Sequence, residues 1–305
     1  MIRSPAVALP GRLPRLVGVF LVYLVVVFVG AALLSPWIWR AVHALVPHQP
    51  FHRYVNRCLI VLALAGLWPL HRLGFFPDLQ GAGWVRRPGI GKEILHGFLI
   101  GLGTLALIVL SACLAGVRIW NPAVTAPIVV QHFLKAAGAA LLVSLMEEFL
   151  FRGGIFGGLR RTGGFWQAAG VSSAIYALVH FFQRPAPPAS VGWDTGFQML
   201  ARMSDGFADL SAMVPGFFNL ALAGLILTAF RERTGALWVS IGIHAGWIFW
   251  LKSYAYFTRP VEGAANAFWG SSKLIDGWIA LPVLLLAAAA SLGFQDRRSV
   301  AQPVR

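Results

Sequence analysis

The run LVGVFLVYLVVVFVGAALL, residues 16–34, contains no charged side chain and is long enough to cross the hydrocarbon of a bilayer as one helix. Similar runs recur to the far end of the chain. In lipid every backbone polar group must be satisfied internally, so a chain built of such runs folds as a helical bundle. Eight candidate segments are legible, at 16–38, 56–71, 95–117, 130–160, 165–183, 213–230, 235–252 and 274–294. The second is short and the fourth is long enough to tilt. The expected fold class is all-α, a polytopic transmembrane bundle of about eight helices. Hydrophobic residues are 58% of the 305 and charged residues 12%, against about a quarter in soluble domains, which points the same way.

The first run follows Arg3, Arg12 and Arg15, as a signal peptide would, but it exceeds the usual 7–15-residue apolar core and no small-x-small cleavage site follows. It reads as a retained helix. Cys58 and Cys113 lie in apolar runs and read as core fillers rather than a disulfide or metal framework. The net charge of +14 is carried by residues that flank apolar segments, so it indicates topology and anionic lipid rather than nucleic acid. Alternate connections hold fifteen Lys and Arg on the side of the N-terminus, with Arg152 among them, and nine on the other. That bias predicts both termini in the cytoplasm. The connection 183–213, with three prolines and three aspartates, is either a solvated linker or a partial lid.

Of the eleven acidic residues, only Glu147 and Glu148 fall well inside an apolar span, in SLMEEFLFR. A charge at the bilayer centre costs roughly 2.5–3.5 kcal/mol on insertion scales, so such residues point to function. Glu148 and Arg152 stand at i and i+4 with the acid on the favoured side, and can neutralise each other. Glu147 points about 100° away and has Phe151, not a base, at i+4. A carboxylate left over in an apolar span suits general acid–base work; a purely structural Glu–Arg lock remains open at this point. On the next segment, YALVH places His180 one turn after Tyr176. Counted from a turn at 161–164, Glu147 and His180 lie at similar depths, some 20–25 Å away. Gly153, Gly154, Gly157 and Gly158 form small-xxx-small pairs that permit a tight hairpin. His244 lies midway along the segment 235–252.

Glu147-Glu148-x-x-x-Arg152, Tyr176-x-x-x-His180 and His244, in order on successive apolar segments, resemble the three motifs of the CPBP family. These are the CAAX-protease and bacteriocin-processing intramembrane endopeptidases, also called type II CAAX prenyl or Abi proteins, with patterns E-E-x-x-x-R, F-x-x-x-H and H-x-x-x-N/D. The resemblance implies a protease core at 130–252, between N-terminal helices at 1–129 and a last helix with a basic tail at 253–305. It implies peptide-bond hydrolysis in a membrane-associated protein or peptide, in a bacterial inner membrane. Glu147 would activate water with His180, Glu148 and Arg152 would orient the site, and His244 would serve the oxyanion. If a metal such as zinc takes part, Glu147, His180 and His244 are its ligands, although no H-E-x-x-H pair is present. The chain departs from the pattern in having Tyr176 for Phe and Ile248 for Asn or Asp, with Ser240 and Asn219 as candidate substitutes for the missing amide. The competing expectations are a non-catalytic scaffold or immunity-type protein with a structural Glu–Arg–His cluster, and a transporter. G-x-S-G and paired intramembrane aspartates are absent from the sequence.

Overall fold

The computed structural model describes residues 12–75, 78–124, 126–264, 266–271 and 274–289. Arg3, Lys273, Arg297, Arg298 and Arg305, and the end of the expected segment 274–294, lie outside them. The apolar runs are helical: α1 (Arg12–Val42), α2 (Phe51–Arg72), α3 (Ile90–Leu114) and α4 (Ala126–Glu148). α4 continues through a π-helical stretch, Phe149–Phe156, into α5 (Gly157–Arg160). After the turn come α6 (Phe165–Val179), α7 (Thr195–Met203), α8 (Leu210–Thr234), α9 (Trp238–Phe257) and a short apolar α10 (Ala280–Ala289).

This is a helical membrane bundle. Five helices are long and apolar enough to cross a membrane: Gly18–Val42, Phe51–Arg72, Ile90–Leu114, Val129–Arg160 and Met213–Thr234. α6 and α10 are apolar but shorter. α9 falls outside the five because polar residues such as His244 and Lys252 interrupt it, yet it is buried without a break from Trp238 to Trp247.

α9 is central because two pairs of glycines let it meet α3 backbone to backbone. A methyl group on Gly97 would lie 2.3 Å from the Val239 carbonyl oxygen, and one on Gly101 2.1 Å from that of Ile243. In return, methyls on Gly242 and Gly246 would lie 2.2 Å and 2.4 Å from the carbonyls of Ile94 and Phe98. These are reciprocal small-xxx-small faces on parallel helices, and they allow the packing that drives association where the hydrophobic effect cannot. Antiparallel strands β1 (Arg118–Trp120) and β2 (Thr258–Pro260), with Ile119 opposite Arg259, tie the C-terminal ends of α3 and α9 together.

The glycines of the π-helical stretch and α5 behave otherwise. Gly153 faces Ala82 and Gly158 faces Phe75, both between α2 and α3 in the chain, rather than a neighbouring helix backbone. The close contact of α6 is with α8, where Gly224 meets Ser173.

Basic residues from separate connections gather at one end. Arg161 donates to the Gly74 carbonyl, Arg231 to Gly81, and Arg87 to Thr234, while Arg160 pairs with Glu232 at 2.9 Å. Arg152 does not join them: its side chain is 1% exposed and faces inward, which reduces the charge bias by one. The segment after His180 is neither a free linker nor a cap over the bundle. Phe182 packs on Phe28, Gln183 N–H donates to the Met203 carbonyl, and Gly196 of α7 lies against the Ala32 backbone. Ala32 is ten residues, about 15 Å, inside the end of its span, so α7 packs within the depth of α1.

Candidate active site

All five residues expected to form the site converge. Glu147 and Glu148 end α4, Arg152 sits on the π-helical stretch, His180 follows α6 and His244 lies less than two turns into α9. The π-helical turn follows the carboxylates directly, a placement common at functional sites. Backbone carbonyls there find partners on neighbouring elements: Ser172 Oγ donates to Phe151 O at 3.2 Å. α6, with 15 residues, spans about 22 Å and so stops short of a full crossing, leaving His180 within the membrane's depth.

One wall is closed. Arg152 Nη1 donates to Glu148 Oε1 at 2.9 Å, and Nη2 reaches the Gly224 carbonyl at 3.4 Å. The same Glu148 oxygen stands 2.9 Å from His244 Nδ1. A carboxylate bonded to a guanidinium is ionised and can only accept, so His244 carries its proton on Nδ1 and turns Nε2 toward Glu147. Glu148 is fully buried. Its second oxygen and Arg152 Nε have no hydrogen-bond partner among the described residues. The Arg152 guanidinium also lies over the Tyr176 ring, 4.3 Å from its centroid.

The other wall is partly open. Glu147 and His180 side chains are 27% and 30% exposed. His180 Nδ1 lies 2.7 Å from the Tyr176 carbonyl, which can only accept, so His180 also presents an unprotonated Nε2 when neutral. That nitrogen is 3.9 Å from Glu147 Oε2, and His244 Nε2 is 3.7 Å from the same oxygen. Glu147 Oε2 is buried and has no hydrogen-bond partner among the described residues. Three acceptors therefore face a common point, an arrangement that calls for a proton, a water or a cation between them. The Tyr176 hydroxyl adds to this point, 3.3 Å from His244 Nε2.

The donor types suit zinc, but the spacing does not. A tetrahedral zinc with ligands at about 2.0–2.1 Å holds its donors roughly 3.3–3.4 Å apart. Among the described residues no group of three His, Cys, Asp or Glu is arranged to hold a metal ion. Separations of 3.7 and 3.9 Å are easily bridged by one water at about 2.8 Å from each acceptor.

The two suggested substitutes for the missing amide are committed elsewhere. Ser240 Oγ donates to the Leu227 carbonyl, and the Asn219 amide donates to the carbonyls of Ile275 and Gly277. Neither hydrogen bond points to Glu147. The sequence signal passed over was Tyr176 itself, whose hydroxyl stands in the site, together with the two glycine pairs that fix α9.

Residues 130–250 match the family model of the type II CAAX prenyl endopeptidase Rce1-like proteins. No curated protein sequence and no solved structure matches the chain. The matched residues begin in α4 and end in α9, so they contain every side chain of the cluster. Over that stretch the chain is similar to the type II CAAX prenyl endopeptidase Rce1-like proteins.

Proposed function

We propose that the protein is an intramembrane endopeptidase in which Glu147, with His180 beside it, activates water for attack on a peptide carbonyl. The observation that carries this reading is the convergence of Glu147 Oε2 and the two imidazole Nε2 atoms, from three separate helical segments, on one point. A water held there gives a proton to Glu147 as its oxygen bonds to the carbonyl carbon. The tetrahedral intermediate then collapses with cleavage of the C–N bond, and Glu147 returns the proton to the leaving amine. His180, held by its Nδ1–H bond to the Tyr176 carbonyl, orients the water. His244 flanks the same point, and Glu148 holds its ring through Nδ1. Preorganised groups of this kind are worth about 2.7–4 kcal/mol each when removed from other proteases.

The substrate in this reading is a membrane-associated protein or peptide, and the family description makes a C-terminal CAAX segment the first to try. In this reading the end at which the basic residues gather, and both termini, face the cytoplasm of a bacterial inner membrane. The test uses purified protein in proteoliposomes with a quenched-fluorescent farnesylated CAAX peptide and its unprenylated counterpart. Cleavage of either probe supports the reading, and inactivity on both overturns it.

The buried Glu148–Arg152–His244 network is also what a structural lock would look like. Glu147 separates the two readings, since it carries none of that network's hydrogen bonds.

A further inference from the structure

We propose that the Tyr176 hydroxyl donates a hydrogen bond to the oxyanion of the tetrahedral intermediate and is thus a catalytic residue of this chain. The inference rests on the endopeptidase reading above and adds a residue to it.

A developing oxyanion needs donors, and the point on which the three side chains converge is poor in them. Glu147 Oε2 only accepts. His180 spends its Nδ1–H on a carbonyl and His244 spends its own on Glu148, so neither neutral ring has a proton to offer on Nε2. Arg152 directs Nη1 and Nη2 away, to Glu148 and Gly224. Position 248, one turn beyond His244 on the same helical face, is Ile and offers no donor. The group that does carry a transferable hydrogen bond is the Tyr176 hydroxyl, 3.3 Å from His244 Nε2, on a residue only 3% exposed.

Its setting suits the task. The ring is fixed edge-on against Phe151 at 5.2 Å between centroids, and the Arg152 guanidinium on its face polarises the O–H. With His244 neutral, the hydroxyl rests on Nε2. As the oxyanion forms, the phenol hydrogen turns from Nε2 to that oxygen, exchanging a neutral hydrogen bond for a charge-assisted one. No covalent bond to Tyr176 is made or broken.

The test compares wild type, Tyr176→Phe, Ile248→Asn and the double variant on the cleaved probe in proteoliposomes, with Glu147→Gln as the control for mechanism. Phenylalanine keeps the ring packing, so melting temperature in detergent should stay at the wild-type value. The expected result is a fall in kcat on the order of 10²–10³-fold with KM unchanged, as for loss of one oxyanion donor. Ile248→Asn alone should retain activity. In the double variant it should restore at least ten-fold of what Tyr176→Phe loses, because an amide at 248 supplies the missing donor. Full activity in Tyr176→Phe, or a matching loss in KM alone, overturns the proposal; so does a double variant no better than Tyr176→Phe. If Glu147→Gln is inactive while Tyr176→Phe cleaves like wild type, the endopeptidase reading stands and this inference falls. If Glu147→Gln cleaves like wild type, both fall.

Discussion

Glu148 and His244, 96 residues apart in the chain, share a buried hydrogen bond of 2.9 Å, and the carboxylate oxygen that accepts it also accepts from Arg152. One oxygen thus fixes both the neutralising cation and the ring that faces Glu147. The adjacent glutamates have separate tasks: Glu148 belongs to the buried framework and Glu147 to the open side.

Glu148→Ala removes the shared acceptor and leaves the Arg152 charge buried and unpaired. Breaking a buried pair from one side costs about 3–5 kcal/mol. We expect a large drop in thermal stability in detergent together with loss of activity. A variant that melts with wild type would show that the network contributes little to the fold.

His180→Ala is expected to be the opposite case. The side chain is 30% exposed and Nδ1 bonds a carbonyl one turn earlier on its own chain segment, so little packing is lost. Loss of a residue that positions and polarises the attacking water should lower kcat by roughly 10²–10⁴-fold, with the melting temperature close to wild type. Unchanged kcat would remove His180 from the mechanism.

The seat of His244 is testable without touching the cluster. Gly101→Ala would bring a methyl group to 2.1 Å from the Ile243 carbonyl, whereas a methyl on Gly103 meets nothing within 4 Å. Gly101→Ala should lower both stability and activity by displacing α9, and Gly103→Ala should match wild type on both. Equal behaviour of the two would show that the α3–α9 contact does not set the site.

Much of this was legible in the sequence. Twenty-residue apolar runs force helices whatever their tertiary neighbours, and two carboxylates inside such a run point either to function or to a buried ion-pair lock. The i, i+4 spacing of Glu148 and Arg152, and the equal distances of Glu147 and His180 from the turn, carried directly into the structure. Other features depend on partners that one segment does not reveal. Gly153/Gly157 and Gly154/Gly158 have the four-residue spacing of Gly97/Gly101, yet Gly153 and Gly158 meet Ala82 and Phe75 whereas Gly97 and Gly101 meet a helix. Tyr176 looked like a substitution within an apolar helix; its hydroxyl matters only because His244, 68 residues later, comes within 3.3 Å. That the segment 235–252 is an apolar helix is legible, but not that α9 is a buried centre rather than a lipid-facing helix.

Metal dependence follows from donor spacing. With the imidazole Nε2 atoms 3.7 and 3.9 Å from Glu147 Oε2, the proposed water mechanism asks for no metal, and turnover should survive dialysis against EDTA. Activity that disappears on chelation and returns with zinc would show that the side chains close around a metal in the working enzyme.

The most direct measurement is the cleavage rate of Glu147→Gln beside its melting temperature, in the same detergent-purified preparation. Glutamine keeps the shape of the side chain and removes its capacity as a base, and Glu147 carries none of the buried network's hydrogen bonds. We predict that cleavage is abolished while the melting temperature stays near wild type. Undiminished turnover in that variant would contradict the account.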